Sequence, residues 1–264
     1  MTVILGRGVY SGSDEFVVRR CTFAWNSAGG AGKDIRGIGG AIDIAWRSPS
    51  IIEDCTFVSN RAGRGGAIYS RDKENIVNCR FVQNVAREAG GAVYFKGTEL
   101  NITSCTFSGN AAPTGQALTC FAPLMTVTNS ILWDDGDEYS EEIQIGEITG
   151  SNVTYNDIRG GWPGEGNIDA DPCFASPGYW DPNGTPDDPN DDVWVEGDYH
   201  LKSQAGRWDP VSGDWVLDEV TSPCIDAGDP NSPVADEPEP NGGRVNMGAY
   251  GGTAEASRSY VEKP

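Results

Sequence analysis

The chain has 264 residues, is rich in glycine and proline, and carries a formal charge of −20 at pH 7. Residues 1–132 hold 13 basic and 10 acidic residues, whereas residues 133–264 hold 6 basic and 29 acidic ones. This acidity argues against nucleic acid as a partner, because phosphates need a basic surface, and the lack of any run of about 18 apolar residues argues against a transmembrane helix.

The N-terminus lacks the basic and long apolar segments of a signal peptide. It also begins as if in the middle of a repeat. We interpret Met1 as an expression start or an internal start, and the chain as a monomeric fragment of a longer anchored protein.

The first clear copy of a repeat, RRCTFAWNSAGG, places Cys21, Phe23 and Asn26 in columns that recur along the chain. The segment from Asn26 to Gly39 is 8 residues longer than its counterpart in the next copy and carries Lys33 and Arg36. Loops that leave a rigid scaffold often carry function. Lys33 and Arg36 are therefore candidate substrate-binding residues, with a merely tolerated insertion as the alternative.

Three closely matching copies begin at residues 51, 76 and 101, and their shared columns recur at spacings of 24 and 26 residues. The shared columns are Cys55, Cys79 and Cys105; Phe57, Phe81 and Phe107; and Asn60, Asn84 and Asn110. Ser130 and Leu132 continue the first two columns in a weaker copy. Repeats this short cannot bury a core alone, so they predict a stacked solenoid.

Short alternating runs of Ile, Val, Phe and Thr, broken by Asn and Gly, predict strands joined by turns. The Cys and Phe columns share parity and should both point inward. The cysteines are expected to be small buried thiols, with metal thiolates as the alternative. The asparagines should form a ladder, and Ile68, Val93 and Leu118 a second inward column.

The F-x-x-N pattern followed by GGAI or GGAV resembles the repeats of polymorphic outer-membrane proteins and related pectate-lyase-like β-helix proteins. NIDADPCF, SPCIDAGDP and NMGAYGG, between residues 167 and 252, resemble the end of bacterial "choice-of-anchor Q" proteins. The resemblance implies an all-β, right-handed parallel β-helix, located outside the cell, secreted or on the surface. It does not fix an activity.

One outward face of the predicted solenoid carries candidate chemistry. Asp43, Tyr69 and Tyr94 fall in one outward column, and Arg71 and Lys96 in the next. Tyrosines beside cations suit a sugar chain with carboxylates. Tyr69 and Tyr94 are candidate substrate-binding residues, and Lys96, Arg71 and Asp43 are candidate catalytic ones; a plain solvated strand face is the alternative.

The run DPNGTPDDPNDD offers oxygen ligands of the kind Ca²⁺ prefers. The candidate ligands are Asp181, Asn183, Asp187, Asp188, Asp191 and Asp192. The run lacks a complete EF-hand pattern. An acidic disordered loop is the alternative.

The predicted architecture is a β-helix over residues 1–172 and an irregular acidic cap over 173–264. The cap is expected to add strands near 198–203 and 222–250, to cover the open end of the stack, and to hold a disulfide between Cys173 and Cys224 or two free thiols. The predicted function is binding of, or action on, an acidic polysaccharide, as a lyase or a glycoside hydrolase. The alternative is a non-enzymatic surface adhesin or structural solenoid.

Overall fold

The structure is a computed structural model that describes residues 2–5, 9–11, 16–29, 37–46, 49–134, 141–146, 150–185 and 193–259. Within these ranges the secondary structure is 27 short strands. No helix in this part of the chain is long and apolar enough to cross a membrane.

The stacked coils are built from 21 strands. In chain order these are β1 (Thr2–Leu5), β2 (Val9–Ser11), β3 (Phe16–Arg19), β4 (Cys21–Ala24), β5 (Ile42–Ile44), β6 (Ser50–Glu53), β7 (Thr56–Val58), β8 (Arg61–Arg64), β9 (Ile68–Ser70), β10 (Glu74–Val77), β11 (Arg80–Val82), β12 (Val85–Ala89), β13 (Val93–Phe95), β14 (Glu99–Thr103), β15 (Thr106–Ser108), β16 (Leu118–Cys120), β17 (Leu124–Thr128), β18 (Ile131–Trp133), β19 (Ile143–Ile145), β20 (Gly150–Thr154) and β21 (Asp157–Ile158).

Three parallel sheets run along the stack. The first sheet has the order β1-β4-β7-β11-β15-β18-β21, the second β2-β5-β9-β13-β16-β19 and the third β3-β6-β10-β14-β17-β20. Strands β8 and β12 form a short additional pair. Each strand pairs with its copy one coil away, so the chain is the parallel β-helix that the repeat predicts.

Single residues with left-handed backbone make the corners of the coils. Asp54, Asn78 and Ser104, with φ of 54°, 50° and 50°, separate third-sheet strands from first-sheet strands. Gly65 has φ of 62° before the second sheet, and a Cβ on the adjoining Gly66 would meet the carbonyl oxygen of Gly91 at 2.1 Å. This corner therefore requires glycine, which explains the paired glycines of the repeat.

The inward columns form the core as predicted. The rings of Phe57 and Phe81 stack at 4.8 Å, and those of Phe81 and Phe107 at 4.7 Å. Ile68 pairs in register with Val93, and both are fully buried.

Cys55, Cys79 and Cys105 are buried free thiols, as expected, whereas Cys21 is a free thiol that is only partly buried. The backbone N–H of Cys55 donates to Cys79 Sγ at 3.4 Å, and the N–H of Cys79 donates to Cys105 Sγ at 3.5 Å. Burial raises the pKa of the Cys79 thiol well above its ordinary value. Cys79 is therefore a packed, weakly hydrogen-bonded thiol rather than a thiolate.

The asparagine ladder is also present. Asn84 Oδ1 accepts hydrogen bonds from the backbone N–H and side-chain amide of Asn60, at 3.0 and 2.9 Å. Asn110 Oδ1 accepts the same pair from Asn84. Asp134 Oδ1 continues the ladder above Asn110, so these buried polar groups are satisfied from one coil to the next.

Residues 173–259, called here the C-terminal segment, contain antiparallel pairs between short strands. They are β22 (Phe174–Ser176), β23 (Tyr179–Asp181), β24 (Val193–Val195), β25 (Asp198–Leu201), β26 (Arg207–Asp209) and β27 (Asp214–Val216). Strand β25 confirms the strand expected near 198–203. The prediction of strands within 222–250 is wrong, because that stretch consists of turns and bends.

The C-terminal segment lies along the outer face of the first sheet rather than only over the end of the stack. Its apolar side chains pack against an outward row of that sheet, comprising Val58, Val82 and Ile131. The N–H of Ala249 donates to Thr106 Oγ1 at 3.0 Å. The expectation of an end cap is corrected accordingly: the segment covers the outward-facing apolar row of the first sheet, which is buried beneath it.

Cys173 and Cys224 are free thiols, so of the two alternatives the structure has the one without a disulfide. The buried Cys224 thiol donates a hydrogen bond to Asp157 Oδ2 at 3.0 Å. This contact anchors the C-terminal segment to the last strand of the first sheet.

Candidate functional site

The outer face of the second sheet carries the residues predicted from sequence. Asp43 pairs in register with Tyr69, and Tyr69 with Tyr94. Arg71 and Lys96 follow β9 and β13 and lie in the adjacent outward column. The structure thus brings these five residues together, whereas Lys33 and Arg36 lie outside the described residues.

The two tyrosine rings do not present open faces. They stack on each other at 5.2 Å with an interplanar angle of 5°, and only 8% of Tyr69 and 7% of Tyr94 is exposed. The guanidinium of Arg71 lies over Tyr69 at 5.0 Å, and that of Arg64 over Tyr94 at 5.6 Å. Identical side chains in register stack on one another, so sugar stacking on these tyrosine faces is not available.

Phe121 supplies the open aromatic surface instead. Its side chain continues the Arg71–Lys96 column, and 44% of the residue is exposed. The ring rests on Gly146, where a Cβ would lie 2.2 Å from Phe121 Cδ1. The sequence contained a signal for this open ring. In the outward column, the aromatic Phe121 is followed one coil later by Gly146, and a glycine leaves room for a flat ring.

Asp43 and Arg71 form a partly buried ion pair. Arg71 Nη2 donates to Asp43 Oδ1 at 2.5 Å, and about a fifth of each side chain is exposed, 22% and 20%. Burial raises the pKa of Asp43, while Arg71 opposes this shift. The pair holds the Arg71 guanidinium in a fixed position, which suits recognition of a ligand carboxylate.

A second candidate site lies between the first sheet and the C-terminal segment. A groove of about 810 Å³ separates them, with Arg20, Asp54 and Arg80 on the sheet side and His200 and Tyr250 on the other. Two other cavities among the described residues, of about 10 and 240 Å³, are smaller. Clefts of roughly 300–1,000 Å³ are typical of small-ligand sites.

His200, the single histidine of the chain, is held rigidly in this groove. Strand β25 places Asp198 and His200 on the same side, since residues two apart share a face. Asp198 Oδ1 lies 2.5 Å from His200 Nδ1, and Arg207 Nη1 donates to Asp198 Oδ2 at 3.0 Å. The imidazole also stacks on Tyr250 at 3.6 Å.

The other imidazole nitrogen has no hydrogen bond. His200 Nε2 is buried without a hydrogen-bond partner, and the carboxylate of Glu255 lies 3.5 Å away. A carboxylate can only accept hydrogen bonds, so Asp198 requires the proton on Nδ1. In the neutral ring, Nε2 then presents a lone pair.

Sequence reasoning missed this groove. A lone histidine carries no spacing pattern, and its partners Tyr250 and Glu255 lie about 50 residues away in a stretch without periodicity. The one local signal was the Asp198-x-His200 spacing on a predicted strand.

Asp181 and Asn183 of the predicted calcium loop stand at the end of β23. Asp181 Oδ1 accepts a hydrogen bond from the Asn183 N–H at 2.9 Å. Asp187, Asp188, Asp191 and Asp192 lie outside the described residues. The described part of the chain contains no group of three or more His, Cys, Asp or Glu side chains that could hold a metal ion.

Comparison with known families supports the fold. A model described as right handed beta helix region matches residues 5–132, and one described as disaggregatase related matches residues 183–228. No curated protein and no solved structure matches the chain. The first match agrees with the stack of coils, and the chain is a right-handed parallel β-helix. The second covers Asp198, His200 and Arg207.

Proposed function

We propose that the protein binds an acidic polysaccharide along the outer face of the second sheet. The observation that supports this best is the exposed Phe121 ring beside the exposed Lys96, in the column that continues to Arg71. Neighbouring positions in such a column are about 4.8 Å apart. A sugar ring stacked on Phe121 would therefore have cations within reach of its carboxylate.

The charges of the face favour an acidic chain over a neutral one. Arg71 is fixed by Asp43, and 22% of its side chain is exposed, which leaves part of the guanidinium open to a ligand. Lys96 is exposed on the same side. We extend the proposal to a secreted or surface location.

Cleavage of the bound chain is a further part of the proposal. In a lyase reaction, a base removes the C5 proton of a uronate, the C4–O bond breaks, and a C4=C5 double bond forms. The departing oxygen stays on the released part of the chain and takes up a proton from water. Lys96 is the better candidate for the base, because Arg71 is committed to Asp43. Glycoside hydrolysis needs two carboxyl groups, so Asp43 would act in a hydrolase only if a second carboxylate lay at a suitable distance.

Truncating Phe121 or Lys96 to alanine should weaken binding of polygalacturonate or alginate about tenfold each, because each change removes one contact worth roughly 1–2 kcal/mol. Affinity electrophoresis or calorimetry would measure this. Tyr179→Ala and Lys73→Ala are matched controls. Tyr179 is an exposed aromatic residue of the C-terminal segment. Lys73 lies next to the third sheet, where it pairs with Glu99.

Incubating the protein with a panel of acidic polymers distinguishes a lyase, a hydrolase and a non-enzymatic binder. Ultraviolet absorbance detects unsaturated products, and a reducing-sugar assay detects new chain ends. Unsaturated products lost in Lys96→Ala would indicate a lyase. Reducing ends without unsaturation would indicate a hydrolase. Binding without products would leave a non-enzymatic adhesin, and absence of binding to every acidic polymer would overturn the proposal.

Calcium binding by the 181–192 loop also stays a proposal. We expect Asp181→Asn to weaken Ca²⁺ binding measured by calorimetry, because a neutral amide is a poorer ligand than a carboxylate. Asp214→Asn, on the exposed β26–β27 hairpin, is the control. Equal Ca²⁺ affinity in the two variants and the parent would remove Asp181 from the site.

A further inference from the structure

We propose that the groove between the first sheet and the C-terminal segment is a second carbohydrate site, which takes neutral rather than acidic sugar residues and uses His200 Nε2 as a hydrogen-bond acceptor. This inference does not rest on the proposed function. It concerns a different sheet and a different class of ligand.

The unpartnered nitrogen is the first argument. His200 is 1% exposed, and a buried polar atom without a partner is costly unless a ligand satisfies it. The Asp198–Arg207 network fixes the imidazole, and Arg207 Nε also donates to Asp218 Oδ2 at 3.2 Å. An imidazole held this rigidly is pre-organised to accept a hydrogen bond from a ligand hydroxyl.

A movable carboxylate covers this nitrogen. The Glu255 side chain is 52% exposed and stands at the rim of the groove. A ligand hydroxyl that binds Nε2 must displace the Glu255 carboxylate, because the 3.5 Å between these two atoms leaves no room for another oxygen. Glu255 would then accept from a neighbouring hydroxyl, as vicinal hydroxyls of a sugar permit.

The charges of the groove select against an acidic ligand. Four carboxylates, those of Asp54, Glu196, Asp198 and Glu255, line it, against the two cations Arg20 and Arg80.

Arg20 is paired with a carboxylate, whereas Arg80 donates to two neutral hydroxyls. Arg20 lies 3.6 Å from Asp54. Arg80 donates to Tyr250 Oη at 2.8 Å and to Thr56 Oγ1 at 3.0 Å. Arg20 pairs with Asp54, and Arg207 pairs with Asp198, which leaves Glu196 and Glu255 against Arg80. This remaining negative charge disfavours a uronate, whereas carboxylates and an imidazole are good acceptors for neutral hydroxyls.

The single histidine makes the test direct. Protein without a histidine tag, labelled with ¹⁵N-histidine, gives one pair of imidazole nitrogen resonances. We expect the Nε2 resonance to move saturably on titration with at least one of xylo-, manno-, cello- or galacto-oligosaccharides. Oligogalacturonate should leave it unchanged.

Variants separate this site from the second sheet. Glu255→Gln, at the exposed rim, should keep the fold and weaken the neutral ligand severalfold, and His200→Gln should weaken it about tenfold. Glu219→Gln, an exposed control in the same segment, should have no effect. Phe121→Ala should weaken acidic-polymer binding about tenfold while leaving the Nε2 shift intact.

Two outcomes of the titration would contradict the proposal. No Nε2 shift with any of the four neutral series at millimolar concentration would overturn the proposal. A shift produced only by oligogalacturonate would also overturn it, because the charge argument would then be wrong. Neither result would bear on the outer face of the second sheet.

Discussion

Replacing Asn84 with alanine should lower the free energy of unfolding by about 4 kcal/mol, since three buried groups would lose their partners at roughly 1–3 kcal/mol each. Asn84 accepts from the backbone N–H and the side-chain amide of Asn60, and its own amide donates to the carbonyl of Phe57 at 2.9 Å. Water cannot replace these bonds, because Asn84 is fully buried. Urea unfolding followed by circular dichroism measures the loss.

Asn101→Ala provides the same substitution at a half-buried position. The Asn101 amide donates to Asn75 Oδ1 at 2.9 Å on the third sheet, where water can take over the bond. A loss below about 1 kcal/mol is expected there. Equal losses at Asn84 and Asn101 would show that the ladder contributes nothing beyond an ordinary surface hydrogen bond.

The ladder illustrates what a repeat can predict. A column in the sequence states which residue lies one coil away, so the neighbours of Asn84, Phe81 and Cys79 followed from alignment alone. The period also fixes which side of a strand faces the core. The period does not determine how the aromatic rings are oriented. Tyr69 and Tyr94 stack on each other, so their faces are not available for the sugar stacking that the sequence predicted.

The C-terminal segment shows the opposite case. Its contacts join residues far apart without a period, such as Arg80 with Tyr250 and Asn129 with Ser232. Neither parity nor spacing identifies such partners. The groove around His200 could therefore not be predicted, although a clue to the covered flank was present in the apolar outward residues Val58 and Val82.

A buried acid interrupts the interior of the third sheet. Glu74 pairs in register with Ser50 and Leu100 and is fully buried. Ser50 Oγ donates to its carboxylate at 2.7 Å. Burial raises the pKa of Glu74 to about 8, from an ordinary value of 4.5.

Glu74→Gln should therefore stabilise the protein at neutral pH. The folded state holds the proton more tightly than the unfolded state, so the contribution of Glu74 is fully present below pH 4.5 and is lost as pH rises toward 8. At about 1.4 kcal/mol per pH unit, the loss reaches roughly 3 kcal/mol by pH 7. Glutamine does not titrate, and we expect the variant to match the parent near pH 4 and to exceed it by about that amount at pH 7.

Glu99→Gln is the control with the opposite sign. Glu99 lies on the neighbouring strand β14, and a hydrogen bond from Lys73 lowers its pKa. Its contribution is present at neutral pH and disappears in acid, so the glutamine variant should be slightly less stable at pH 7. Urea unfolding of both variants across pH 4 to 8 tests the pair. A stability difference between Glu74→Gln and the parent that stays constant over this range would mean that Glu74 is solvated in the folded protein, and that its position does not interrupt the core.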